Sequence, residues 1–160
     1  MLTAHPYRYL LVAILSLVVA VTWTYVTKHM YDYNLPFASM FGVSVFPAVA
    51  WTLALVAGYF IVESIVKHVG AKHPLVQFIV VVGAYAVAVI IAETVGYHLL
   101  GIHNIGTSQY VGLPLCDCLH APIWMQIGYF SLGPLHWLLV KMIIVTSNLW
   151  YFSIRSDKIV

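Results

Sequence analysis

Carboxylate and imidazole side chains are concentrated in one stretch of the sequence. Glu93, His98, Asp117 and His120 all fall within residues 93–120. A carboxyl group with imidazoles nearby is the combination that proteins use most often for general acid–base catalysis. We therefore predict that Glu93 is a general acid or base, and that the other three residues orient it or transfer its proton.

The two cysteines, Cys116 and Cys118, lie just before His120. Thiolate and imidazole groups bind zinc and copper, so Cys116, Cys118 and His120 are a candidate metal site. The paired C-x₂₋₄-C spacing of structural zinc sites is absent, and a metal is therefore not favoured. Packed thiols are the interpretation that we favour, with a disulfide in an oxidising compartment as a further alternative. The cofactor stays unassigned, because no nucleotide-binding or haem-attachment motif is present.

Two other charged residues, Glu63 and Lys141, lie inside apolar runs. Each costs about 2.5 to 3.5 kcal/mol at the centre of a bilayer, so each should find a partner. With a rise of about 1.5 Å per helical residue, both reach a similar depth near one face of the membrane. We predict an ion pair between them, with snorkelling toward the nearby headgroups or a proton or ion pathway as the alternatives. His136, also in an apolar run, is predicted to be a hydrogen-bonded core residue rather than a ligand.

Long apolar helices must position these residues. Of the 160 residues, 62% are hydrophobic and 8% charged, whereas roughly a quarter are charged in soluble domains. A membrane-spanning helix needs about 20 apolar residues. The sequence predicts an all-α, polytopic four-transmembrane-helix bundle, a single integral membrane domain over residues 1–160. Its helices are expected at about 9–27, 43–66, 74–96 and 122–152.

Two features interrupt this pattern. Residues 97–121 carry glycines, prolines and polar residues, which predicts a long loop between the third and fourth helices. Gly133-Pro134 lies inside the last apolar run and should kink or break that helix, because proline removes a helical hydrogen bond.

Positive charges predict the orientation of the chain. Lysine and arginine are retained on the cytoplasmic side of short flanks. One side of the predicted membrane has a single cation, Lys28, and the other has five: Arg8, Lys67, Lys72, Arg155 and Lys158. Both termini should therefore be cytoplasmic and the long loop extracytoplasmic, which in a bacterium places the chain in the inner membrane. The net charge of +2 is spread along the chain, so nucleic acid is not an expected partner.

The stretch from Glu93 to Trp124 resembles the core pattern of polytopic carotenoid-modifying membrane proteins, the carotenoid hydratase and small lycopene cyclase families. The resemblance is carried by a glutamate before a glycine, a tyrosine, a Gly-Leu-Pro run, a proline and a tryptophan: Glu93, Gly96, Tyr110, 112–114, Pro122 and Trp124. The paired carboxylates typical of the cyclases are absent. The resemblance implies that Glu93 acts as an acid on an isoprenoid double bond in an apolar pocket.

Two hypotheses for the function follow. In the first, the chain is a membrane enzyme or binding protein for an isoprenoid or lipid ligand, surrounded by membrane lipids. In the second, it is a non-catalytic accessory subunit that packs against other membrane subunits or associates with itself. A cavity containing Glu93 would favour the first hypothesis, and a filled interior the second.

Overall fold

Four long helices make up most of the chain. The computed structural model describes residues 6–156, with side chains from Tyr7 to Thr146; Lys158, one of the cations used to predict orientation, lies outside them. The helices are α1 (Pro6–Val26), α2 (Val45–Val69), α3 (Pro74–Thr94) and α4 (Ile123–Ser156). Within the described residues, these four helices are long and apolar enough to cross a membrane. The predicted all-α transmembrane bundle is therefore confirmed.

A short turn joins α2 to α3. Gly70 ends α2 with φ of 67°, and its N–H bonds to the carbonyls of Val66 and Lys67. Glycine adopts this left-handed conformation without the steric penalty of a side chain. His73 then caps α3, because its ring accepts a hydrogen bond from the Leu75 N–H, and Pro74 begins the helix. So few connecting residues make α2 and α3 antiparallel neighbours.

The helix α4 continues through Pro134. The predicted break is therefore wrong, while a bend at this position stays a prediction. Gly133 has a different role, because a side chain added there would collide with the Tyr85 ring of α3. The missing side chain lets the two helices approach each other at this point.

The two loops at one end of the bundle form a common layer, which we call the cap (residues 28–44 and 100–122). The first loop contains a hairpin of β1 (Ser39–Met40) and β2 (Val43–Ser44). The second loop begins after a π-helical turn, Val95–Leu99, that extends α3. Leu113 and Cys118 form an isolated bridge within the second loop.

Asparagine side chains hold the two cap loops together. Asn34 Nδ2 donates to the Gly101 carbonyl at 2.9 Å, and Asn34 Oδ1 accepts from the His103 N–H at 2.8 Å. Asn104 Nδ2 donates to the Met30 carbonyl at 2.9 Å. Backbone groups of both loops therefore find partners across the cap, which places the loops at the same end of the bundle.

Tyr31 anchors the cap to the helices. Its hydroxyl oxygen accepts hydrogen bonds from Trp23 Nε1 at 2.9 Å and Trp51 Nε1 at 3.2 Å, and the hydroxyl shares a hydrogen bond with the Tyr129 hydroxyl at 3.1 Å. Burial raises the pKa of the Tyr31 phenol, so the group stays neutral. The residues that meet here belong to the first cap loop, α1, α2 and α4, and they form part of the apolar core at the cap end.

Candidate functional site

A cavity of about 390 Å³ lies between α2 and α3, beneath the cap. This volume is within the range of small-molecule sites. Trp51 of α2, Val89 of α3 and Tyr129 of α4 form its back wall, and all three are buried. The interior of the bundle is therefore not filled, and the space is enclosed largely by apolar and aromatic side chains.

Glu93 lines this cavity from the last turn of α3. Its carboxylate makes no hydrogen bond or ion pair with any other residue in the described part of the chain. Tyr33 and Tyr97 line the same cap end of the cavity. Tyr97 follows Glu93 by four residues and lies in the π-helical turn that extends α3.

Tyr33 belongs to the first cap loop and stacks on Tyr31, with ring centroids 6.1 Å apart. Burial raises the pKa of Tyr33, and the nearby Tyr31 and Glu93 raise it further. The phenol of Tyr33 is therefore a neutral group at the cap end of the cavity.

The second cap loop forms the roof of the cavity through Leu119 and His120. His120 Nδ1 bonds to the Tyr110 carbonyl at 2.9 Å, and its Nε2 lies 3.3 Å from the Asp117 carbonyl. Because a carbonyl oxygen only accepts and a neutral imidazole carries one N–H, the neutral ring donates to one of these two carbonyls at a time. Both ring nitrogens are thus directed at backbone oxygens, and neither forms a hydrogen bond with Glu93.

The backbone of the segment that forms the roof has unusual dihedral angles. Asp117 and Leu119 have φ of 44° and 53°, in the left-handed region that residues with a side chain rarely adopt. A Cβ at Gly112 would lie 2.9 Å from the Cys118 carbonyl oxygen and 3.0 Å from the His120 ring, so only glycine fits there. Gln126 of α4 holds the loop from below, since its Nε2 donates to the carbonyls of Val111 and Ala121.

The structure brings together only two of the four predicted acid–base residues. Glu93 and His120 line the cavity, but the predicted proton transfer between them has no hydrogen bond to support it. The Asp117 side chain is 86% exposed and 3.7 Å from His120 Nε2. His98 is also exposed, and its Nε2 bonds to the Cys116 carbonyl at 2.6 Å. The contacts of Asp117 and His98 therefore lie within the cap, and neither residue lines the cavity.

Cys116 and Cys118 form a disulfide. The expectation of packed thiols is therefore wrong, and the bonded sulfurs do not offer the thiolates that a metal site with His120 would use. Among the described residues, no three histidine, cysteine, aspartate or glutamate side chains are arranged to hold a metal. The disulfide closes the turn that leads into Leu119 and His120, so it helps to hold the roof.

A second polar cluster lies at the opposite end of the bundle. Glu63 Oε1 forms the predicted ion pair with Lys141 Nζ at 2.7 Å. The same oxygen accepts a hydrogen bond from Trp137 Nε1 at 2.8 Å, and Oε2 bonds to the Arg8 guanidinium at 3.1 Å. Arg8 also donates to the Tyr59 hydroxyl at 3.0 Å. The cluster joins α1, α2 and α4, and Glu63 is fully paired.

Sequence reasoning missed two kinds of residue. It treated Arg8 only as a flanking cation, although its position before the first apolar run could have placed it at the depth of Glu63. It also did not single out Tyr33, Trp51 and Tyr129, which line the cavity. No spacing in the sequence signals that arrangement. His136, as predicted, is a buried core residue, and its Nε2 shares a hydrogen bond with Ser16 Oγ at 3.0 Å.

Comparison of the chain with protein-family models, with curated proteins and with solved structures finds no match. The cavity and its carboxylate are therefore the features on which a functional proposal rests.

Proposed function

We propose that the chain is an integral membrane enzyme or binding protein for an apolar isoprenoid or lipid ligand, which occupies the cavity between α2 and α3. The observation that carries this proposal is the carboxylate of Glu93, which lies in a cavity of about 390 Å³ without a hydrogen-bond partner among the described residues. A filled bundle would have favoured an accessory subunit, and the cavity supports the first hypothesis instead.

The two glutamates within the helices illustrate the argument. Glu63 is surrounded by Arg8, Lys141 and Trp137, and these contacts offset the cost of removing its charge from water. Glu93 has no such compensation, and an unpaired polar group in an apolar site costs free energy. Ionisable residues kept at membrane depth without a structural partner are functional candidates. We therefore assign Glu93 to contact with a ligand rather than to a structural role.

The chemistry that fits is proton transfer to a carbon–carbon double bond. The Glu93 carboxyl group gives its proton to the double bond, which leaves a carbocation on the ligand and a carboxylate on the protein. Loss of a proton from an adjacent carbon of the ligand to the carboxylate then forms a new double bond and regenerates the acid. Glu93 must approach the reacting carbon directly, and the surrounding aromatic and apolar side chains keep bulk water from the carbocation.

The charges support an orientation with the cap outside the cytoplasm. The end of the bundle opposite the cap has Arg8, Lys67 and Lys72, whereas the cap side has Lys28 as its only cation among the described residues. Positive residues are retained in the cytoplasm, so both termini are cytoplasmic in this proposal. In a bacterial cell the chain then lies in the inner membrane, with the roof of the cavity facing the periplasm.

Mass spectrometry of ligands retained after gentle purification tests the proposal. We expect the wild-type protein to retain an apolar molecule with at least one carbon–carbon double bond. Glu93→Gln removes the acidic proton and preserves the size of the side chain, so this variant should bind the molecule and accumulate it unconverted. Asp32→Asn also replaces a carboxyl group with an amide, but at an exposed position of the cap, and this variant should behave as wild type.

Two results would contradict the proposal. A wild-type protein that emerges without any bound apolar molecule, from several mild detergents, would leave the cavity without a ligand. Retention of other membrane subunits in stoichiometric amounts, with no effect of Glu93→Gln, would favour the accessory-subunit hypothesis.

A further inference from the structure

The cavity has an open side between α2 and α3. The residues that border this side have exposed side chains although they also line the cavity, and most of them are alanines: Ala54, Ala57 and Ile61 on α2, and Ala88 and Ala92 on α3. All of them lie within the membrane-spanning segments Val45–Val69 and Pro74–Leu99. The small side chains leave a cleft between the helices, and this cleft faces the hydrocarbon of the bilayer.

The cavity is covered at the cap end and at the back. Leu119, which is 4% exposed, and His120 cover it at the cap end. The disulfide closes the turn that leads into this roof. Tyr129 of α4, which is 6% exposed, closes the back. A ligand therefore meets less obstruction from the bilayer than through the cap.

The cavity is long and narrow. Its lining on α3 extends from Tyr85 to Tyr97, which corresponds to about 18 Å at 1.5 Å per residue. Its lining on α2 extends from Phe46 to Ile61, or about 22 Å. A space of about 390 Å³ drawn out over this length suits a single extended hydrocarbon chain better than a compact ring system.

The charges around the cavity restrict the ligand's head. No lysine or arginine is among the described residues that line the cavity. A phosphate or carboxylate head would therefore lie near Glu93 without a lysine or arginine to neutralise it, which is unfavourable in a medium of low dielectric constant. An uncharged head, such as a hydroxyl group, could instead hydrogen-bond to the free carboxyl oxygens of Glu93.

We infer that the cleft between α2 and α3 is a lateral entrance through which an uncharged, single-chain lipid passes from the bilayer into the cavity, with its head at Glu93 and its chain along the two helices. This inference rests on the proposed function, because it assumes that the cavity is the ligand site. It adds the route of entry, the shape of the ligand and the charge of its head.

Photo-crosslinking in phosphatidylcholine vesicles tests the inference, with diazirine-bearing hexadecanol as the probe. In the wild-type protein we expect crosslinks in the peptide that carries residues 85–97. Ala57→Phe and Ala88→Phe place a ring in the cleft from either side and should lower this labelling about tenfold, the loss that corresponds to about 1.4 kcal/mol of binding free energy. Leu53→Phe and Val87→Phe are matched controls on the same helices, since both positions are exposed but do not line the cavity.

A second comparison tests the class of ligand. Diazirine-bearing palmitic acid has a similar chain with an anionic head and should label residues 85–97 less than the alcohol does. Unlabelled hexadecanol and unlabelled geranylgeraniol are then compared as competitors, and the stronger competitor identifies a saturated or an isoprenoid chain. Stronger labelling by palmitic acid would overturn the uncharged head, and a lack of competition by both alcohols would overturn the single-chain site.

The outcomes separate the entrance from the proposed function. Cavity labelling that is equal in the wild type and in both cleft variants would overturn lateral entry, while the ligand site itself would stand. Labelling of the outer helix faces alone, in every protein including the wild type, would contradict the ligand site as well. Thermal unfolding of each variant shows whether it is folded, and Ala54→Phe, one turn away on α2, replaces Ala57→Phe if that variant does not fold.

Discussion

At the scale of single residues, the contrast between Glu63 and Glu93 leads to a direct prediction. We expect Glu63→Gln to lower the free energy of unfolding by about 2 kcal/mol or more, because it leaves Arg8 and Lys141 without their anion. Both cations are partly exposed, which limits the loss. Glu93→Gln should leave stability unchanged or raise it, since it removes a carboxyl group that no described residue compensates.

Denaturation by sodium dodecyl sulfate in mixed micelles, followed by circular dichroism, measures both changes. Lys141→Met is a useful third variant, because Glu63 keeps its contact with Arg8 and the loss should be smaller than for Glu63→Gln. Equal losses for the two glutamate variants would mean that Glu93 also has a structural role, and the contrast on which the proposed function rests would disappear.

The sequence was informative for these residues only in part. A charged residue in an apolar run identifies itself, so Glu63, Glu93 and Lys141 could all be found. The Lys141 partner of Glu63 could be predicted because the depth of each residue in the membrane follows from its position along its helix. The lack of a partner for Glu93 depends on where Tyr33, Trp51 and Tyr129 leave space, and no local pattern contains that information. For the same reason, His98 and Asp117 were expected at Glu93 although their contacts are within the cap.

At the scale of the helices, Gly133 and Gly83 form a matched pair of positions for a second prediction. We expect Gly133→Ala to lower the free energy of unfolding by about 1 to 3 kcal/mol, because the new methyl group collides with the Tyr85 ring and overpacks the contact between α3 and α4. Gly83 lies inside α3 with open space where its Cβ would be. Gly83→Ala should therefore be neutral or stabilising by up to about 1 kcal/mol.

The same denaturation experiment compares the two variants. Tyr85 lines the cavity, so displacement of its ring in Gly133→Ala should also change the amount of retained ligand. The double variant Gly133→Ala with Tyr85→Ala is compared with Tyr85→Ala alone, since without the ring the added methyl group should cost less. An equal loss from Gly133→Ala with and without the Tyr85 ring would show that the ring contact is not its cause.

The helices could be predicted from the sequence better than their connections. Membrane-spanning helices follow from long apolar runs, and the four predicted segments agree with the four observed ones to within a few residues. A break at Gly133-Pro134 was one of two predicted effects, and α4 instead continues through Pro134. Proline is tolerated in membrane-spanning helices because neighbouring groups satisfy the freed backbone carbonyl. A bend at this position stays a prediction. The cap depends on pairings such as that of Asn34 with His103, 69 residues apart in the chain, and sequence periodicity does not reveal them.

At the scale of the whole molecule, the two ends of the bundle differ in structure. The cap end contains the asparagine pairings, the disulfide and the roof of the cavity, and the opposite end contains the cluster around Glu63. Leu115 in the cap is 86% exposed, and Lys72 in the turn between α2 and α3 is also exposed. These two positions report the orientation of the entire bundle, because the helices between them cross the membrane.

The final prediction is that a reagent outside the cell reacts with a cysteine placed at position 115 in the cap but not with one placed at position 72. Single cysteines are introduced as Leu115→Cys or Lys72→Cys in a chain with Cys116→Ser and Cys118→Ser, which removes the native disulfide, and intact cells are treated with a membrane-impermeant maleimide. The positive charges Arg8, Lys67 and Lys72 favour retention of that end in the cytoplasm, so labelling of Lys72→Cys should require permeabilised cells.

The reverse pattern would overturn the proposed orientation. It would leave the fold intact, since the cap loops lie at one end in either case, and it would place the roof over Glu93 on the cytoplasmic side. Labelling of both positions in intact cells would contradict the membrane-spanning assignment of the helices between them.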